Sequence, residues 1–163
     1  MLVTRTAWFN CHAGVAGDMA MAALVDAGAD IDTIADTIAG LGVDGYAIFF
    51  ERVQRCGVGA TWANIVTHDE LHAHDRERSE DAAPHVHRPA SEIFALLDAA
   101  DLPDRVRARA RAVFERLAAV EGAIHGIDPA DVELHEVGAL DSIIDVVGVC
   151  AALESLGIER VVC

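Results

Sequence analysis

Apolar residues recur three or four apart along the last third of the chain, at Leu140, Ile143, Ile144, Val147, Cys150, Ala151, Leu153 and Leu156, with Gly157 placed as a stop. That spacing predicts an amphipathic helix from Ala139 to Leu156. Met19, Ala22, Ala23 and Val25 predict a helix ending at Gly28, and Ile31, Ile34, Ile38 and Leu41 a second ending at Gly42. Helical spacing returns after Pro89, through Ile93, Leu96 and Leu97, and after Pro103, through Val106, Val113, Leu117 and Val120 to Gly126, with each proline read into a first turn. The β-branched and aromatic run 2–9 predicts a strand entering the turn Asn10-Cys11-His12-Ala13-Gly14. Runs 46–53 and 58–66, divided by Gln54-Arg55-Cys56-Gly57, predict a hairpin, and Ile158 to Cys163 opens a further strand.

Strands at both ends, with a hairpin and several helices between them, predict an α+β (or α/β) fold: a mixed sheet layered with helices, in the order strand, helix, helix, hairpin, helices, strand. Residues 1–163 read as a single domain. Because the chain stops within its last strand, it is expected to be the amino-terminal part of a longer or split protein. Apolar periodicity disappears between Thr67 and Arg88, and this stretch is expected to be an exposed, mobile His/Asp-rich loop (67–88).

Composition narrows the partners. The formal charge is −15, and all twelve basic residues are arginine. Nucleic acid and anionic membranes need a basic footprint and are not expected as partners. No apolar run is long enough for a membrane span and no leader is legible, so a cytoplasmic location is expected. Cys11, Cys56, Cys150 and Cys163 have no paired spacing and read as free thiols. Arg105, Arg107, Arg109 and Arg111 fall two apart, spread around their helix, and read as solvation.

Three places carry candidate chemistry. His135 and Glu136 precede the 139–156 helix, where Asp141 and Asp145 stand at i and i+4 on one face. Two like charges so placed repel on an isolated helix, and a shared cation would make the pairing favourable. In Cys11-His12-Ala13-Gly14-Val15-Ala16-Gly17-Asp18, glycines three apart lie before a helix N-terminus. Gly14, Gly17 and Asp18 are therefore candidates for a phosphate, with a plain turn capped by Asp18 as the alternative. The 67–88 stretch holds five of the eight histidines. His72, His74, His85 and His87 in polar, acidic company suit transient binding of nickel, zinc or copper.

Four stretches together resemble one family: Gly14-Val-Ala-Gly-Asp-Met19, His85-Val-His-Arg-Pro89, Val120-Glu-Gly-Ala-Ile-His-Gly126, and the run from His135 to Gly148 that begins His-Glu-Val-Gly-Ala-Leu-Asp. They resemble the amino-terminal part of the LarC nickel insertion proteins, almost from Asn10 to Cys163. The family usually has Asp at the place of Asn10 and commonly His at that of Glu133. The resemblance implies a nickel chelatase of the lyase class. It inserts Ni²⁺ into pyridinium-3,5-bisthiocarboxylic acid mononucleotide to make the nickel pincer cofactor of lactate racemase and related enzymes. CTP, with Mg²⁺ or Mn²⁺, is handled in a carboxyl-terminal part that this chain lacks.

On that basis His135, Glu136, Asp141 and Asp145 are expected to form the catalytic cluster, with metal held by His72, His74, His85, His87, His135 and Glu136. The expected partners are a carboxyl-terminal LarC polypeptide or further copies of the chain, and the small-molecule mononucleotide. The alternatives are a non-catalytic nickel-binding or metallochaperone module and a metal-dependent phosphohydrolase.

Overall fold

The computed structural model describes residues 4–67, 88–134 and 137–163. In chain order they form β1 (Thr6–Trp8), α1 (Gly17–Asp26), α2 (Ile31–Ala39), β2 (Tyr46–Arg55), β3 (Val58–Thr67), β4 (Arg88–Pro89), α3 (Ala90–Ala99), α4 (Asp104–His125), a 3₁₀ turn (Pro129–Asp131), β5 (Glu133–Leu134), α5 (Leu140–Ser155) and β6 (Arg160–Val162). The α+β expectation holds. Among the described residues the strands form three separate pairs, not one continuous mixed sheet: β1 with β6 in parallel, β2 with β3 and β4 with β5 antiparallel. Four of the six described strands have only two or three residues, too short a ladder to recruit further neighbours.

Helix α5 is the centre of the molecule. Ile143, Ile144, Val147, Cys150, Ala151, Ala152 and Leu153 are all buried, because α1, α2 and α4 pack on different sides of it. A side chain at Gly148 would lie 2.4 Å from the sulfur of Met21, so α1 and α5 cross in close contact there. The predicted stop at Gly157 is a Schellman cap: Gly157 N–H donates to Glu154 O at 2.9 Å and Ile158 N–H to Leu153 O at 2.8 Å. Gly28 ends α1 in the same way, with Ala29 N–H donating to Leu24 O.

The hairpin is longer than the sequence pattern indicates, with only Cys56 and Gly57 between the strands. Both have positive φ, 50° and 83°, as the tight turn that matches strand twist requires. Its core face, including Ala63 and Thr67, lies on α1. Asp26 at the end of α1 locks it there, accepting from the backbone and hydroxyl of Thr61 at 2.8 and 2.9 Å and pairing with Arg52. These bonds hold the Asp26 carboxyl below its ordinary range.

The arginines of α4 do not serve solvation. The Arg107 guanidinium donates to the carbonyls of Leu97, Asp98, Ala100 and Leu102, closing the end of α3, which carries no basic residue in its last turn. Arg105 and Arg109 both reach Glu154 of α5, and Arg111 pairs with Asp98 and Glu115 while lying over the Phe94 ring. Spacing by two spreads the four residues around the helix as expected, but neighbouring helices occupy those directions. Pro89 and Pro103 stand just before α3 and α4, at the N-cap positions, and not inside the first turns.

Candidate acidic site at the crossing of two helices

The first turns of α1 and α5 meet. Helix α1 begins at Gly17 without a side-chain cap and carries Asp18 in its first turn, and α5 carries Asp141 in its first turn with Asp145 one turn further. The i, i+4 spacing that the sequence indicates on α5 therefore faces the start of α1. Asp145 makes the contact: a Cβ built on Gly17 would lie 2.5 Å from its Cβ and 2.7 Å from Oδ2. A carboxyl group can rest there only because residue 17 has no side chain.

Charge accumulates at this crossing. Burial, followed by the negative charges of Asp18 and Asp141, pushes the Asp145 carboxyl up to about 7, while a hydrogen bond from the Asp18 backbone N–H works in the opposite direction. The other oxygen, Oδ1, is buried and has no hydrogen-bond partner among the described residues. Asp141 accepts from the Ser142 N–H at 2.8 Å, and Asp18 from the Met19 N–H at 2.7 Å. Two amides of the first turn of α1, those of Asp18 and Met19, are thus already answered by carboxyl groups of the protein itself. The turn before the helix forms as the sequence indicates, with Gly14 at φ 84° and its N–H on the Cys11 carbonyl at 2.9 Å. Asp18 is in the first turn and does not cap it. Nearby, the exposed His12 ring lies 3.2 Å from the Asn10 side-chain oxygen.

Of the candidate residues, the structure brings together Gly17, Asp18, Asp141 and Asp145. His72, His74, His85, His87, His135 and Glu136, and positions 68–87 of the expected loop, lie outside the described residues. Flanking 135 and 136, Gly138 N–H donates to the Leu134 carbonyl at 3.1 Å. Among the described residues no three His, Cys, Asp or Glu side chains are arranged to hold a metal ion. No described helix is long and apolar enough to cross a membrane. The seating of Asp145 on Gly17 escapes sequence reading, since no local pattern links residues so far apart in the chain.

Comparison with known proteins supplies the family. The model of a family described as nickel insertion protein matches residues 7–163. The chain belongs to the nickel insertion protein family. A relative in Staphylococcus saprophyticus, named pyridinium-3,5-bisthiocarboxylic acid mononucleotide nickel insertion protein, is 39% identical over 98% of this chain and 37% of its own length. One of the same name in Alkaliphilus metalliredigens is 35% identical over 94% of the chain and 38% of its own. A protein of Synechococcus elongatus, provisionally named a nickel insertion protein, is 42% identical over 99% of the chain and 37% of its own length. The chain therefore spans a little over one third of these curated relatives. No solved structure matches it.

Proposed function

We propose that this chain is the metal- and substrate-handling part of a nickel insertion enzyme. Its Ni²⁺, as substrate, would be delivered into pyridinium-3,5-bisthiocarboxylic acid mononucleotide, the compound named for its relatives. The observation that carries the reading is the proximity of Asp18 and Asp141 to Asp145, one of whose buried oxygens has no partner among the described residues. Burial and the neighbouring charges of Asp18 and Asp141 raise the proton affinity of the Asp145 carboxyl, a cost relieved either by a proton or by a cation. The described carboxyl groups alone do not form a metal cage, so an ion relieving Asp145 would draw further donors from His135 and Glu136. Such oxygen and imidazole donors leave it exchangeable, as a metal destined for transfer to sulfur and carbon must be.

In this reading His135 and Glu136, next to the same helix entry, complete the catalytic and metal-binding cluster. His72, His74, His85 and His87 carry the ion toward it. The phosphate of the mononucleotide is assigned to the Gly14–Asp18 turn on the Gly14 side, because the Asp18 and Met19 amides are already taken. CTP and its Mg²⁺ or Mn²⁺ belong to the additional length of the relatives, acting as a second polypeptide or region, in the cytoplasm. Storage-module and phosphohydrolase readings gain no support from the relatives' names.

Calorimetric titration of the chain with Ni²⁺ tests this. Asp141→Asn with Asp145→Asn is expected to weaken binding tenfold or more while the circular dichroism spectrum stays native. Unchanged nickel affinity in a folded double variant would reject the assignment.

A further inference from the structure

The β2–β3 hairpin has a second face, turned away from α1. Register places Phe49 opposite Asn64, Glu51 opposite Trp62, Val53 opposite Ala60 and Arg55 opposite Val58 on that side. Among the described residues its larger apolar side chains are open: Phe49 is 50% exposed, Trp62 39% and Val58 67%. A two-stranded hairpin with one face bare is marginal by itself, and apolar side chains grouped in this way mark contact surfaces.

Two charges interrupt the face, and their placement identifies the occupant. Glu51 and Arg55 lie four residues apart on one strand, about 13 Å, too far to pair with each other. Their cross-strand partners are Trp62 and Val58, and neither forms an ion pair among the described residues. Val53 stands midway between them. A two-fold axis through the Val53–Ala60 pair, lying in the plane of the face, sets Glu51 over the Arg55 of a second copy and Arg55 over its Glu51. The same operation stacks Trp62 on Val58 and Val53 on its own counterpart. In a chain of formal charge −15, the 46–67 hairpin carries two arginines and one glutamate, so two copies meet there without the repulsion found elsewhere.

We infer that the outer face of the β2–β3 hairpin is a self-complementary docking surface for a second copy of this chain, with Glu51 and Arg55 exchanging partners across a two-fold axis. This goes beyond the nickel reading and is independent of it. About that axis the strands overlap over 51–55 and 58–62, about 15 Å and two strands wide, smaller than a standard specific interface, so the pair is weak and exchanges with monomer.

Sedimentation equilibrium of the whole chain over a range of concentrations tests the inference. The mass is expected to rise from 17.3 kDa toward twice that value. Glu51→Arg or Arg55→Glu alone should weaken association tenfold or more, and the two together should restore it. Val58→Lys, at an exposed site that cannot unsettle the core, should also abolish it. A wild-type chain monomeric throughout, a dimer indifferent to these substitutions, or a charge exchange that fails to restore association would each overturn the proposal.

Discussion

The Asp145 carboxyl group occupies the space that a side chain at position 17 would need, 2.5 Å from where its Cβ would stand. Helix propensity alone would make Gly17→Ala favourable by about 1 kcal/mol. The contact reverses that sign, because a heavy atom at such a distance forces α1 and α5 apart.

Gly17→Ala is therefore expected to lower stability by about 1–3 kcal/mol in chemical denaturation. Gly59→Ala is the control, since nothing lies within 4 Å of the added carbon. Equal behaviour of the two variants would show that α1 and α5 separate freely.

Stability from this group should fall as pH rises from about 4 to 7 and level off above that. The Asp145 carboxyl is raised from 3.8 to about 7 on folding, so between those values the folded state holds a proton that the unfolded state has lost. Ionisation in the native crossing then opposes folding, with the full cost present above pH 7. The limit is about 4 kcal/mol, reduced by the solvent that still reaches the group. Asp145→Asn should flatten the dependence of the melting temperature over this range and raise stability at pH 8 by about 1–2 kcal/mol. A pH profile identical to wild type would reject the buried-acid account.

Arg107→Ala should be costly, by about 2–3 kcal/mol, because four carbonyls at the end of α3 lose a charged donor at once. Arg107→Lys should recover less than half of the loss, since an ammonium lacks the planar fork. Amide exchange localised to 97–102 would report the same event.

Cys56→Gly should stabilise the hairpin by about 0.5–1 kcal/mol, because Cys56 is held at φ 50° where a β-carbon is strained. An unchanged or lower melting temperature would show that the turn relies on the cysteine side chain.

Much of this architecture is legible in the chain because it is local. The apolar rhythm of 140–156, the Gly28 and Gly157 stops and the Cys56-Gly57 turn each depend on neighbours in sequence. The Asp141/Asp145 face is legible for the same reason. What Asp145 faces is not, because Gly17 and Asp18 reach it only through tertiary packing. The arginines of α4 mislead in the same way: their spacing describes directions around a helix, and the carbonyls of α3 and the carboxylate of Glu154 that fill those directions come from distant elements.

The parallel ladder between Thr6–Trp8 and Arg160–Val162 sets a schedule for biosynthesis. Thr6–Trp8 can find its ladder partner only after all the described helices between the two strands have been translated. Non-local pairing of this kind is slow to form, so helices α1 and α5 have to assemble first and hold the two ends within reach.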